Sequence, residues 1–230
     1  TSVDPNWPNQ FGDCVKAPWA KDRWNNPWSC TPPSIVKSSL SIVGLSDPQG
    51  KLYLHIYDPE NRHVGYNYET NKTDLEIPGA YYFDFNETIV IMLPSNLTDF
   101  TCIVDGKYAE QPSEEYELGL TTIKDNEKVR ERLSSNMIQQ GTKQTYITSL
   151  TQNGEVKSQT IIYELIIENR GFNVYLTTNS TISDFNFSKM ANIGKISFNV
   201  SGPTGSNGFC NITIPKNLLW SEKEHWTVLI

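Results

Sequence analysis

The 230 residues include only three histidines, four cysteines and three methionines, and no uninterrupted apolar run near the ~18 residues that would span a bilayer as a helix. Each scarcity removes a class of chemistry. With His55, His63 and His225 as the only imidazoles and no C-x-x-C, neither a structural zinc site nor a histidine-based nucleophile triad finds its residues at usable spacing. G-x-S-x-G, H-E-x-x-H, C-x-x-C-H, a phosphate loop and a dinucleotide fingerprint are all missing. A formal charge of -7 and a pI near 5.0 leave no basic surface for a phosphate backbone, so nucleic acid is not an expected partner. Thr1-Ser2-Val3-Asp4 has neither the basic start nor the apolar stretch of a signal peptide, and Thr1 reads as a mature end after signal removal. The expectation is a protein that is not an enzyme and carries no cofactor.

The composition is that of a folded chain, with 37% hydrophobic, 20% charged and 11% aromatic residues. Seven N-x-S/T sequons stand at Asn71, Asn86, Asn96, Asn179, Asn186, Asn199 and Asn211, roughly twice the number that chance gives for this content of Asn, Ser and Thr. Their placement is informative. In Phe209-Cys210-Asn211-Ile212-Thr213-Ile214 the alternation sends Cys210, Ile212 and Ile214 to the core and Asn211 and Thr213 to solvent, and Ile196, Phe198 and Val200 alternate with Asn199 in the same way. Asn186, between Phe185 and Phe187, is the position that a one-residue slip of register would turn inward. Surface sequons and an even cysteine count point to an extracellular, oxidising location. Cys14 and Cys30 bracket a short segment and are expected to form a local disulfide, with Cys102 and Cys210 buried.

Three stretches differ in texture. Residues 1–33 form an arm with Pro5, Pro8, Pro18, Pro27, Pro32 and Pro33 and with Trp7, Trp19, Trp24 and Trp28, too rich in proline for a helix or a central strand. From residue 34 to 153, short β-rich runs alternate with turn signals at Asp47-Pro48-Gln49-Gly50, Asp58-Pro59-Glu60-Asn61 and Asp105-Gly106; from 158 to 230 a second series begins with Ile161-Ile162-Tyr163-Glu164-Leu165-Ile166-Ile167. The fold class is all-β, two sandwich modules preceded by the arm. Asn126–Gln140 lacks a clean helical period and reads as strand or loop, while Pro215–Leu219 reads as one helical turn. The chain stops inside the apolar run Trp226-Thr227-Val228-Leu229-Ile230, which suggests a native polypeptide that continues. Asp47, Asp58, Asp74, Asp84 and Asp105 lie in loop-like stretches; with no D-x-D-x-D spacing they read as turn formers in preference to Ca²⁺ ligands.

Two segments carry a resemblance. Leu52-Tyr53-Leu54-His55-Ile56-Tyr57-Asp58-Pro59-Glu60-Asn61-Arg62-His63-Val64-Gly65-Tyr66, followed by Glu76-Ile77-Pro78-Gly79-Ala80-Tyr81-Tyr82, resembles an Ig-like module appended to secreted archaeal and bacterial proteins. Ser197–Ser201 with Gly202-Pro203-Thr204-Gly205-Ser206-Asn207-Gly208-Phe209-Cys210-Asn211-Ile212-Thr213-Ile214-Pro215-Lys216-Asn217-Leu218-Leu219 resembles a module of archaeal cell-surface glycoproteins, one that often runs on into a membrane anchor. The resemblance implies Ig-like β architecture at the cell surface and transfers no catalytic residue; any anchor would lie beyond the given chain. The functional expectation is a structural glycoprotein, self-assembling into a filament, sheath or coat, with Trp7, Trp19, Trp24 and Trp28 as interface residues. The alternative from another class is a carbohydrate- or ligand-binding adhesion module on the cell surface, with the tryptophans as a sugar platform.

Overall fold

The computed structural model describes residues 14–15, 29–30, 40–49, 51–85, 87–124, 127–152, 154–190, 193–202, 205 and 207–219. The protein is all-β: every element among the described residues is a strand and every strand pair is antiparallel. The chain divides into two compact units, Thr1–Ser38 and Ser39–Ile230. The first holds β1 (Cys14–Val15) and β2 (Ser29–Cys30), paired so that Cys14 stands opposite Cys30. The four tryptophans of the arm lie outside the described residues, as does Trp226–Ile230.

The second unit is built on two sheets. The strands in chain order are β3 (Leu40–Ser46), β4 (Tyr53–Tyr57), β5 (His63–Asn67), β6 (Lys72–Leu75), β7 (Tyr81–Asp84), β8 (Thr88–Pro94), β9 (Asp99–Asp105), β10 (Ser113–Lys124) and β11 (Glu127–Gln139). They continue with β12 (Lys143–Leu150), β13 (Val156–Ile167), β14 (Arg170–Thr178), β15 (Thr181–Met190), β16 (Ile193–Ser201) and β17 (Cys210–Thr213). One sheet has five strands in the order β11-β10-β3-β8-β7; the other has eight, β17-β14-β13-β12-β9-β4-β5-β6. The pair β15–β16 forms its own two-stranded sheet. Through residues 153–158, where the sequence suggests a junction between modules, β12 and β13 pair as neighbours, so the eight-stranded sheet takes strands from both sides of it.

Period-two alternation makes the core. Val43 and Leu45 of β3, Ile89, Ile91 and Leu93 of β8, and Tyr116 and Leu118 of β10 are buried from one sheet. Leu54 and Ile56 of β4, Phe100, Cys102 and Val104 of β9, Ile161 and Tyr163 of β13, and Val174 and Leu176 of β14 meet them from the other, in one continuous apolar cluster. A polar bridge crosses this core: the Tyr116 hydroxyl lies 2.6 Å from that of Tyr146 and also bonds the Gln144 carbonyl oxygen, and the Asn136 amide donates to Tyr146 at 3.3 Å. Buried polar networks of this kind favour one register of two sheets on each other; here the Asn136 side-chain oxygen is left without a partner.

The turns follow their chemistry. The Asp47 carboxylate accepts the N–H groups of Gln49 at 3.0 Å, Lys51 at 2.6 Å and Leu52 at 2.8 Å. Asp58 accepts those of Glu60 at 3.0 Å and Arg62 at 2.9 Å, plus the Arg62 side chain at 2.6 Å. These carboxylates are engaged as turn formers. Residues 127–139 are strand, and Pro215–Leu219 closes one turn through Leu218 N–H to the Pro215 carbonyl at 2.9 Å.

One burial expectation is corrected. Cys102 is buried, and burial pushes its thiol pKa up, but Cys210 is exposed. Cys210 opens β17, an edge strand of the eight-stranded sheet, and stands opposite Thr178, the last residue of β14. Alternation therefore selects Ile212 and Ile214, which are half-buried, and loses its meaning at the strand end.

Candidate functional site

The main concentration of ionisable and aromatic side chains lies on the outward face of β4, β5, β6 and β9. The hairpin β4–β5 sets Tyr57 opposite His63 and His55 opposite Gly65, and β5–β6 sets Gly65 opposite Asp74. Alternation then sends His55, His63 and Asp74 to one face, and β9 adds Asp105 beside them. His63 Nδ1 is 3.0 Å from Asp74 Oδ2, His63 Nε2 is 3.0 Å from His55 Nδ1, and His55 Nε2 is 3.9 Å from Asp105 Oδ2. Lys143 of β12 reaches Asp105 at 3.3 Å, the Asn67 amide donates to Asp74 at 2.8 Å, and Glu76 accepts the His63 backbone N–H at 2.8 Å.

Gly65 is required between the rings. A β-carbon there would lie 2.8 Å from His63 Nε2, 2.8 Å from the Leu54 carbonyl oxygen and 2.9 Å from His55 Nδ1, and its φ of 153° is one that L-residues seldom adopt. His55 is 6% exposed; burial first, and the neighbouring His63 second, hold its pKa down at about 4. The hydrogen bond from His63 is the largest influence holding the Asp74 carboxyl below its ordinary value. Beside this row Tyr53, Tyr66, Tyr68 and Tyr108 pack edge and face on one another, with Lys107 4.8 Å from the Tyr68 ring centre. The His55 Nε2 atom is shut off from solvent and has no hydrogen-bond partner. Among the described residues, no group of three or more His, Cys, Asp or Glu is arranged to hold a metal ion.

Neither histidine stands out in the sequence. Their partnership is visible only once Asp58–Arg62 is taken as the loop of a hairpin, which sets positions 55, 57, 63 and 65 on one face.

The other sequence-selected residues are dispersed. Asn71, Asn96, Asn186, Asn199 and Asn211 are exposed, Asn179 is half-buried, and Asn86 lies outside the described residues. Asn186 owes its exposure to a bulge: the β15–β16 register shifts between Ser183 and Asn186, Asp184 takes a φ of 55°, Phe185 turns into the core and Asn186 turns out. Asn179 accepts the Phe209 N–H at 3.0 Å and donates to the Asn207 carbonyl at 3.2 Å, tying down the loop before β17. Trp7, Trp19, Trp24 and Trp28 fall outside the described residues.

A second surface feature was not anticipated. Both sheets end on the same side, where β6 and β7 approach each other. There Leu75 is 57% exposed, Tyr81 44%, Phe83 40% and Phe85 66%, with the rings of Phe83 and Phe85 near-parallel at 6.3 Å. Comparison with protein-family models, curated proteins and solved structures finds no match to the chain. Among the described residues, no helix is long and apolar enough to cross a membrane.

Proposed function

We propose that the protein is an extracellular structural glycoprotein, a non-catalytic subunit that self-assembles into a surface filament, sheath or coat. The observation that carries the reading is the aromatic edge. Folded β proteins blunt their edge strands with lysine, proline or bulges; β7 instead presents Tyr81 and Phe83, continued by Phe85 and flanked by Leu75. Such an edge is a template for strand addition, with main-chain bonds for affinity and alternate side chains for specificity. The exposed sequons support a location outside the cell.

The finer fold reading is Ig-like. In chain order β3 to β9, then β12, the strands occupy the places of B, C, C′, C″, D, E, F and G: β3-β8-β7 lie as B-E-D and β12-β9-β4-β5-β6 as G-F-C-C′-C″. The hairpin β10–β11 is inserted between F and G, and β10 takes the place of strand A beside β3. Strands β13, β14 and β17 extend the same sheet on the G side, and we assign them to the second module.

A sugar-binding role is the second reading, favoured by the near-parallel exposed rings of Phe83 and Phe85. Sedimentation of the glycosylated chain over a hundredfold concentration range separates the two. Assembly predicts concentration-dependent growth that Phe83→Ser/Phe85→Ser abolishes. A monomer throughout, shifted instead by added oligosaccharide, overturns the assembly reading in favour of the second.

A further inference from the structure

The row Asp74–His63–His55–Asp105 constrains where its protons lie. With one hydrogen per ring, His63 donates from Nδ1 to Asp74, so its Nε2 accepts and His55 donates from Nδ1. His55 Nε2 is then a lone pair turned toward the Asp105 carboxylate at 3.9 Å. One added proton reverses the direction. His63 then donates from both nitrogens, His55 accepts on Nδ1, and its hydrogen sits on Nε2 facing Asp105. A second added proton leaves two N–H groups opposed at 3.0 Å.

We propose that these four residues form a one-proton clamp that fastens edge strand β6 through β5 to β4, and that a second proton opens the clamp and frees β6. The strand depends on it. Among the described residues β6 pairs with β5 alone, runs for four residues, and is exposed at three of them; Asp74 is the exception. Every packed element contributes a group facing the pair. Asp74 and the nearby Glu76 come from the β6 side, Asp105 from β9, Lys143 from β12, and Tyr57 of β4 stacks on His63 at 4.7 Å. Tyr68, following β5, tilts against His55 at 5.8 Å, with Lys107 over its far side. The carboxylates favour a proton on the pair, while burial, Lys143 and the first proton oppose another, which places opening near pH 4. Opening bares the Val64–Asn67 edge of β5 to a new strand. The clamp stands whether or not the protein assembles.

The test is a pH series on the full chain labelled with ¹⁵N-histidine, with amide hydrogen exchange corrected for its intrinsic pH dependence. Uptake of the first proton should move the His55 hydrogen from Nδ1 to Nε2 with that ring still neutral. Near pH 4 the amides of Asp74 and Glu76, which face β5, should lose at least tenfold in protection while those of Ile161, Tyr163 and Leu176 keep theirs. Asp74→Asn retains an acceptor oxygen without the charge and should shift the release to higher pH. A His55 that titrates near 6.5, β6 protection that persists until β13 unfolds, or an unchanged release pH in Asp74→Asn overturns the proposal.

Discussion

Replacing Gly65 by alanine is the sharpest single perturbation of the histidine row. The added carbon would meet a backbone carbonyl at 2.8 Å and two buried ring nitrogens at 2.8 and 2.9 Å, all inside the distance real β-carbons keep. Leu54 is a core residue of β4, so its carbonyl cannot retreat without moving the strand. Overpacking of this kind costs ~1–3 kcal/mol and an unfavourable φ a further ~1–3 kcal/mol, so a loss of about 2–6 kcal/mol is expected for Gly65→Ala. Gly141→Ala isolates the second contribution, because Gly141 has a φ of 78° and nothing within 4 Å of the added carbon. It should lose only about 1–2 kcal/mol. Urea unfolding of both variants gives the comparison through the midpoint at constant m-value. A Gly65→Ala loss no greater than that of Gly141→Ala would show that the two rings are not held by a close fit around Gly65.

Acid should destabilise the fold well above the carboxylate range. His55 has a pKa of about 4 when folded against 6.5 when exposed, so the unfolded chain takes up its proton first, and stability is lost as pH falls from about 6.5 to 4; the integral is about 3 kcal/mol. Asp74, held down by His63, loses its contribution in the same direction at lower pH. A flat midpoint between pH 7 and 4.5 contradicts this. Native alkylation should label Cys210 and spare Cys102 until unfolding, and non-reducing peptide maps should join Cys14 to Cys30, which face each other across β1–β2; that bridge would contribute roughly 3 kcal/mol. Glycopeptide analysis should find sugar on Asn96, Asn186 and Asn211 and little on Asn179, whose amide is engaged on both sides.

How much of this was legible in the sequence depended on the range of the interaction. Turn chemistry is local, so Asp47 and Asp58 announced their turns, and the apolar alternation of β8, β9 and β13 announced strands. Strands β5, β6 and β7 were not foreseen: Gly65 interrupts one, and Lys72–Leu75 is almost wholly exposed and gives no apolar period. The sheet order is non-local, and with it the proximity of His55 to Asp105, fifty positions away. At Phe185 the bulge changes the period within a strand, which no fixed alternation expresses.

The place of β3 bears on how the chain reaches this fold. It sits between β8 and β10, and its first turn of pairing with each closes loops of about 40 and about 70 residues, from Ser46 to Thr88 and to Glu117. The entropic difference between those closures is only about 0.5 kcal/mol, so neither partner is excluded by distance along the chain. A chain emerging from its N-terminus meets them in sequence nonetheless. Until residues 113–124 have appeared, β3 keeps one open flank, and Tyr116 then waits for β12 to bring its hydrogen-bond partners Gln144 and Tyr146. The five-stranded sheet is therefore completed late, from its centre outward, with the slow kinetics of long-range β pairing. During that interval the half-built sheet is the species most open to capture by a neighbouring chain or a chaperone.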